Sequence, residues 1–176
     1  MSLFAEKGYN GTSIDDIADR ADVARATVFN YFHRKEAFLD AWTASRQEFL
    51  QETITRQRSR RAGTREQLRE CMKALAESNE GDVGVARTLV AAWVYTGRAI
   101  SEEPRTAYIF SEIIAEGITR GDIRDDVVPE LAGTLIRDLY LGCLYRWVGG
   151  TSAEPPFSLR DRLLTLLDIL LEGLTR

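Results

Sequence analysis

The sequence predicts an all-α fold, and three observations carry that expectation. Apolar residues recur at three- and four-residue spacing along most of the chain, as in Ile14, Ile17, Ala18 and Ala21. No stretch of any length alternates with the two-residue period of a strand. Helix-breaking residues separate the periodic segments: Gly63, Gly81, Pro104, the run from Arg120 to Glu130, and the double proline Pro155-Pro156, which no helix continues through. There is no internal repeat.

Taken in order, an Asn10-Gly11 turn signal precedes Thr12 and Ser13. Either can cap a helix, with Asp15 and Asp16 three residues further on. That short helix ends near Asp22-Val23. A second short helix is expected from about Ala24 to Phe32. A third, starting near Lys35 and reaching about Arg61, carries Phe38, Ala41, Trp42 and Phe49 on one side. Gly63 is expected to stop it and Thr64 to cap the next. Further helices are expected near 64–79, 83–97, 102–120, 129–149 and 158–175. The expected organisation is a three-helix amino-terminal unit, residues 1–46, followed by a larger helical body, residues 47–176.

The last two helices have little polar face. The 129–149 segment carries Leu131, Leu135, Ile136, Leu139, Tyr140, Cys143, Leu144, Trp147 and Val148. The 158–175 segment carries Leu159, Leu163, Leu164, Leu166, Leu167, Ile169, Leu170, Leu171 and Leu174. A helix apolar nearly all round must be covered on both sides. A second copy of the chain is one cover, with Leu139, Trp147, Leu163, Leu167 and Leu170 as the expected interface. The other is a monomer core with these two helices at its centre.

Composition excludes several classes. The chain is 44% hydrophobic and 28% charged with a net charge of −4, which does not fit disorder. No apolar run approaches the roughly 18 residues of a membrane span; "LLTLLDILL" is broken by Thr165 and Asp168. No export signal is evident, so a cytoplasmic location is expected, with Cys71 and Cys143 as reduced thiols. One histidine and two distant cysteines give no zinc spacing, and no metal or cofactor is expected. Charge is uneven: residues 51–70 hold six arginines against three glutamates, while the second half is acidic.

The segment "DVARATVFNYFHRKEAF", residues 22–38, is unusually rich in rings for a short helix. At 100° per residue, Val28 and Phe32 share one face, suited to pack against the Ile14/Ile17 stripe. Ala26 and Asn30 lie opposite, flanked by Phe29 and His33 on one side and Thr27 and Tyr31 on the other. A small residue for close approach, an amide for base edges and hydroxyls for phosphates are what a helix entering a DNA major groove needs. Two short helices joined by a tight break form a helix-turn-helix. Each residue alone has a blander reading: Asn30, Thr27 and His33 as solvated surface, Phe29 and Tyr31 as packing on the next helix. The combination is what points to DNA.

The stretch "LFAEKGYNGTSIDDIADRADVARATVFNYFHRKEAFLDAW", Leu3 to Trp42, resembles the amino-terminal DNA-binding domain of the tetracycline-repressor (TetR) family of bacterial transcriptional regulators. The shared signature runs through "LF", "KGY", "TS", "IA", "YF" and "KE" at fixed spacings over about forty residues. The segment "IAEGITRGDIRDDVVPELAGTLI" is similar to the carboxyl-terminal part of such regulators. The resemblance implies a homodimer on a palindromic DNA operator, released by a small-molecule effector held in the body. It implies base contacts from Arg25 and Asn30, close approach or a thymine methyl at Ala26, and a place among the recognition positions for Phe29. It implies backbone contacts from Thr12, Ser13, Thr27, Tyr31, His33 and Lys35. Asp22 stands where the family usually has glycine, and aspartate tolerates the left-handed conformation better than most residues. The chain starts two residues before Leu3, so the first helix is expected to be shortened.

For the effector, Trp93, Tyr95, Tyr108, Phe110 and Tyr140 are the candidate lining, each with an ordinary core role as the alternative. The expected effector is apolar or aromatic. Catalysis is not expected: there is no Gly-rich phosphate loop, nucleophile elbow or metal cluster, and the single histidine, His33, sits on the predicted DNA face. The remaining alternative is a helical adaptor binding a protein partner through the exposed rings of residues 29–33.

Overall fold

A computed structural model describes residues 2–97, 105–149 and 154–174. Among these residues all regular structure is helical: α1 (Ser2–Gly11), α2 (Ile14–Ala21), α3 (Arg25–Tyr31), α4 (Glu36–Ser59), α5 (Thr64–Glu80), α6 (Val83–Tyr95), α7 (Arg105–Arg120), α8 (Pro129–Val148) and α9 (Leu159–Leu174). The expected helix start at 102, with Pro104, and the linker residues 150–153 lie outside the described residues.

The chain divides into two compact units. The first comprises Met1–Ser45 with Asp82–Glu102; the second comprises Arg46–Gly81 with Glu103–Arg176. The sequence-based boundary after residue 46 is a cut along the chain, whereas the packing adds α6 to the amino-terminal helices. In the first unit Tyr9, Leu39, Leu89 and Ala92 form a core, with Ile17, Phe38, Trp42 and Val85 packed against it. On α4 the fully buried positions are Leu39, Leu50 and Ile54. Of the expected stripe, Phe38 and Trp42 pack on the core, whereas Ala41 is exposed and Phe49 is 39% exposed.

The α2–α3 corner is built locally. The Ser13 hydroxyl accepts from the Asp16 N–H at 3.0 Å, and Asp16 Oδ2 accepts from the Ser13 N–H at 2.8 Å, a complete capping box. Lys7 pairs with Asp16 at 2.6 Å. Asp22 closes α2 in the left-handed region, φ 52 and ψ 46, with its N–H directed at the Ala18 and Asp19 carbonyls. The aspartate thus performs the turn that glycine usually performs.

In the second unit α7 and α8 lie against each other, α9 packs on α5 and α8, and α5 also meets α7. Gly133 sets the α7–α8 approach: a Cβ there would stand 2.5 Å from the Ala107 carbonyl oxygen and 2.6 Å from the Ser111 nitrogen. The α4–α5 link departs from expectation. Arg61, at φ 55, takes the left-handed turn, with the Ala62 N–H donating to the Gln57 carbonyl at 3.2 Å. Gly63 is the N-cap of α5 rather than the stop of α4. Having no side chain, it leaves Thr64 to be capped from afar. Asp122 Oδ2 accepts from the Thr64 N–H at 3.1 Å and from its hydroxyl at 2.9 Å. Glu80 likewise accepts the Leu159 and Arg160 N–H groups that open α9.

Three outcomes are expected. Gly133→Ala gains about 1 kcal/mol of helix propensity, but the new methyl meets backbone that cannot yield. Overpacking of about 1–3 kcal/mol or more wins, and urea melts should show a net loss. At residue 22, Gly should be tolerated within about 1 kcal/mol, while Ile should lose about 1–2 kcal/mol in the same assay. The third concerns acid. The bonds from Lys7 and Ser13 hold the Asp16 carboxyl well below the usual carboxylate range. Thr64 does the same for Asp122, aided by Arg120. Both folded-state values are depressed, so this stabilisation is full above the ordinary carboxylate value and is lost as pH falls below it. Melting temperature should drop on acidification below about pH 4, and Asp16→Asn with Asp122→Asn should flatten that drop.

Candidate nucleic-acid interface

The helix α3 has seven residues and a single buried one, Val28, 7% exposed. Phe32 follows the last turn and stacks on Phe38, ring centroids 4.0 Å apart at 19°. These two side chains anchor the helix as their shared face predicts. All the others on α3 point outward: Arg25, Ala26, Thr27, Phe29, Asn30 and Tyr31 are exposed. Phe29 is 47% and Tyr31 78% exposed. His33 lies beyond the helical residues and meets Phe29 edge-on, centroids 5.3 Å apart.

Within the chain, the side chains of Thr27, Asn30 and Tyr31 make no hydrogen bond to any described residue, so their polar atoms are available to an external partner. Arg25 differs. Its Nε pairs with Asp15 at 2.9 Å, both side chains largely exposed. That salt bridge sits in water and is worth little, so Arg25 can exchange Asp15 for a base or phosphate at small cost.

Three predicted contacts are placed differently from expectation. Thr12 is 2% exposed, and its hydroxyl donates to the Gly8 carbonyl at 2.7 Å, inside the kink that Gly8 introduces at φ 72. It faces the protein because the Gly8 carbonyl, released from the helical ladder by the kink, needs a donor. The Ser13 hydroxyl is engaged by the capping box. The Lys35 ammonium donates to the Tyr9 carbonyl at 2.6 Å and the Thr12 carbonyl at 3.2 Å, and lies 4.4 Å from the Tyr9 ring centroid. It closes the carboxyl end of α1, where orphan carbonyls and the helix dipole favour a cation. Sequence reasoning passed over Arg34, whose side chain is 68% exposed beside His33 and within 3.8 Å of Asp40. Its position next to Lys35 was the only signal for it.

The predicted effector lining is divided between the two units. Trp93 and Tyr95 belong to the first unit, whereas Tyr108, Phe110 and Tyr140 belong to the second. Tyr95 and Tyr108 are 78% and 68% exposed; Trp93, Phe110 and Tyr140 are buried. Nor is the predicted interface intact. Trp147, Leu163 and Leu167 are buried within their own unit, because the four-residue spacing of Leu159, Leu163, Leu167 and Leu171 turns that row inward. Leu139 and Leu170 are half-buried, while Leu131, Leu135 and Ile169 are exposed. Among the described residues no group of three or more His, Cys, Asp and Glu could hold a metal, and no helix is long and apolar enough to cross a membrane.

Comparison with known proteins bears on this geometry. Residues 1–42 match the family described as bacterial regulatory proteins, tetR family. The chain is 25% identical over 178 residues to the HTH-type transcriptional repressor DhaR of Mycobacterium sp. (strain GP1), covering 94% of this chain and 84% of that one. It is 38% identical over 40 residues to the Staphylococcus aureus (strain Newman) biofilm operon negative regulator IcaR, covering 23% of this chain and 22% of the regulator. In structure it is similar to the Thermus thermophilus repressor FadR, solved with lauroyl-CoA, at a TM-score of 0.73 and 29% identity, covering 98% of this chain and 90% of that one. With α2 and α3 folded as a helix-turn-helix whose second helix presents its side chains outward, residues 1–42 have both the sequence pattern and the geometry of the DNA-binding segment of the tetR family of bacterial regulatory proteins.

Proposed function

We propose that the chain is a ligand-responsive transcriptional repressor, acting in the cytoplasm, that binds a palindromic operator as a homodimer. One observation carries the reading: α3 is anchored by Val28 and Phe32 alone and presents Ala26, Thr27, Phe29, Asn30 and Tyr31 to an outside partner. Asn30 suits a bidentate contact to an adenine edge, and the Ala26 methyl suits a thymine methyl. Thr27 and Tyr31 suit phosphates, and Arg25 suits either. Repression and response to a small molecule follow the relatives, FadR having been solved with lauroyl-CoA. The dimer uses the apolar surface of α8 and α9, with Leu131, Leu135 and Ile169 at its centre and Leu139 and Leu170 beside them.

Selection of random duplexes by the purified protein should recover a palindrome, with affinity that falls steeply as salt rises. Recovery of no sequence preference at low salt would sink the reading. Asn30→Ala should cost about 1–3 kcal/mol at one base position and relax the preference there. Thr27→Ala should weaken all sequences alike and leave the salt slope nearly unchanged, because it removes a phosphate hydrogen bond and no charge. Lys35→Ala should also lower the melting temperature, because it releases the end of α1. Leu135→Glu combined with Ile169→Glu should give a folded monomer by light scattering; a persistent dimer would place the interface elsewhere.

A further inference from the structure

Three polar side chains from three helices meet in the second unit, two of them buried and the third, Arg46, half-buried. Asn79, near the end of α5, is 1% exposed. Its Nδ2 donates to the Leu75 carbonyl at 2.6 Å and to the Tyr140 hydroxyl at 3.3 Å. Its Oδ1 accepts from Arg46 of α4 at 3.2 Å. Tyr140, on α8, is 3% exposed, and the Arg46 guanidinium lies 5.7 Å from its ring centroid. Burial draws Arg46 down to about 10, which leaves it charged at neutral pH.

Such a group is costly to bury and adds nothing to packing that leucine or methionine would not supply. It is also incomplete. Among the described residues the Tyr140 hydroxyl accepts from Asn79 and donates to none, so a buried O–H donor stands in the same cluster as a cation. The neighbouring positions are apolar. Leu75 and Met72 lie one and two turns before Asn79 on α5, Ile136 and Leu144 one turn to either side of Tyr140 on α8, and all four are buried.

We propose that Arg46, Asn79 and Tyr140 anchor the head of an effector bearing a carboxylate on an apolar body. The carboxylate accepts the Tyr140 O–H and pairs with Arg46, while Asn79 holds both donors in place. The hydrocarbon body lies along the apolar faces of α5 and α8. A cationic head would be repelled by Arg46. This rests on the ligand-responsive reading above and adds the chemistry of the ligand's head.

The test is calorimetric titration of the full chain, without DNA, using sodium decanoate and decyltrimethylammonium as probes. Saturable binding of decanoate at one site per chain is expected, with none for the ammonium amphiphile. Tyr140→Phe, which removes one oxygen atom, should weaken decanoate about tenfold or more, as for a lost hydrogen bond to a charged group. Arg46→Gln should do the same. With carboxyl-labelled decanoate, NMR should show the bound head staying ionised to lower pH than free decanoate, a shift Arg46→Gln should abolish. This readout stands even if Tyr140→Phe folds poorly. Equal binding of both amphiphiles, unchanged affinity in folded variants, or no saturable decanoate binding would overturn the assignment. Operator selection on the same preparation separates the two proposals: intact selection without decanoate binding overturns the anchor alone.

Discussion

A helix of seven residues does not hold itself together in water, and α3 is that short. Everything the protein can present to DNA depends on what fixes this one element. Its own contribution is small: Val28 inward, and Phe32 stacked on Phe38 just beyond its end. The rest comes from the corner before it. Asp22 turns the chain in the left-handed region, and the Val23 N–H donates to the Ala18 carbonyl at 3.1 Å. Holding the helix from outside leaves its remaining side chains uncommitted, which is the condition for reading another molecule.

The same division between support and contact explains Lys35. An ammonium near the helix-turn-helix is an obvious phosphate ligand, yet two backbone carbonyls and an aromatic face lie within its reach. Those carbonyls end α1 at a point where the chain has already been bent by Gly8. A cation there offsets the partial negative charge of the helix end, where the Tyr9 carbonyl has only a long bond from the Thr12 N–H at 3.4 Å. Lys35 thus acts on the interface through α1, by keeping Tyr9 in the core, while Thr27, Asn30 and Tyr31 face outward.

In the second unit, helix ends are completed across the sequence rather than along it. Asp122 serves the first N–H of α5, and Glu80, at the end of α5, serves the first N–H groups of α9. Arg65 and Arg69 of α5 both reach Asp168 of α9, which tightens the same pair of helices. Gly133 in turn admits the Ala107–Ser111 backbone. The Arg46–Asn79–Tyr140 cluster differs from these helix-end contacts in lying deeper, around a buried phenol that keeps a proton to give.

Periodicity and punctuation were enough to place the helices within a few residues, because amphipathic spacing and helix-breaking residues are local properties of the chain. The helix-turn-helix was legible for the same reason: the Ser13–Asp16 cap, the Asp22 turn and the split between Val28/Phe32 and Ala26/Asn30 all lie within one short stretch. Residue roles that depend on distant partners were not legible. Nothing near Thr12 in sequence shows that a kink at Gly8 turns its hydroxyl inward. Nothing near Gly63 shows that Asp122 supplies its missing cap. Nor does hydrophobicity tell Leu163 and Leu167, which are buried, from Ile169, which is exposed. An apolar residue is compatible with a core and with an interface, and only the packing of the neighbouring helices decides which face of α9 is already covered.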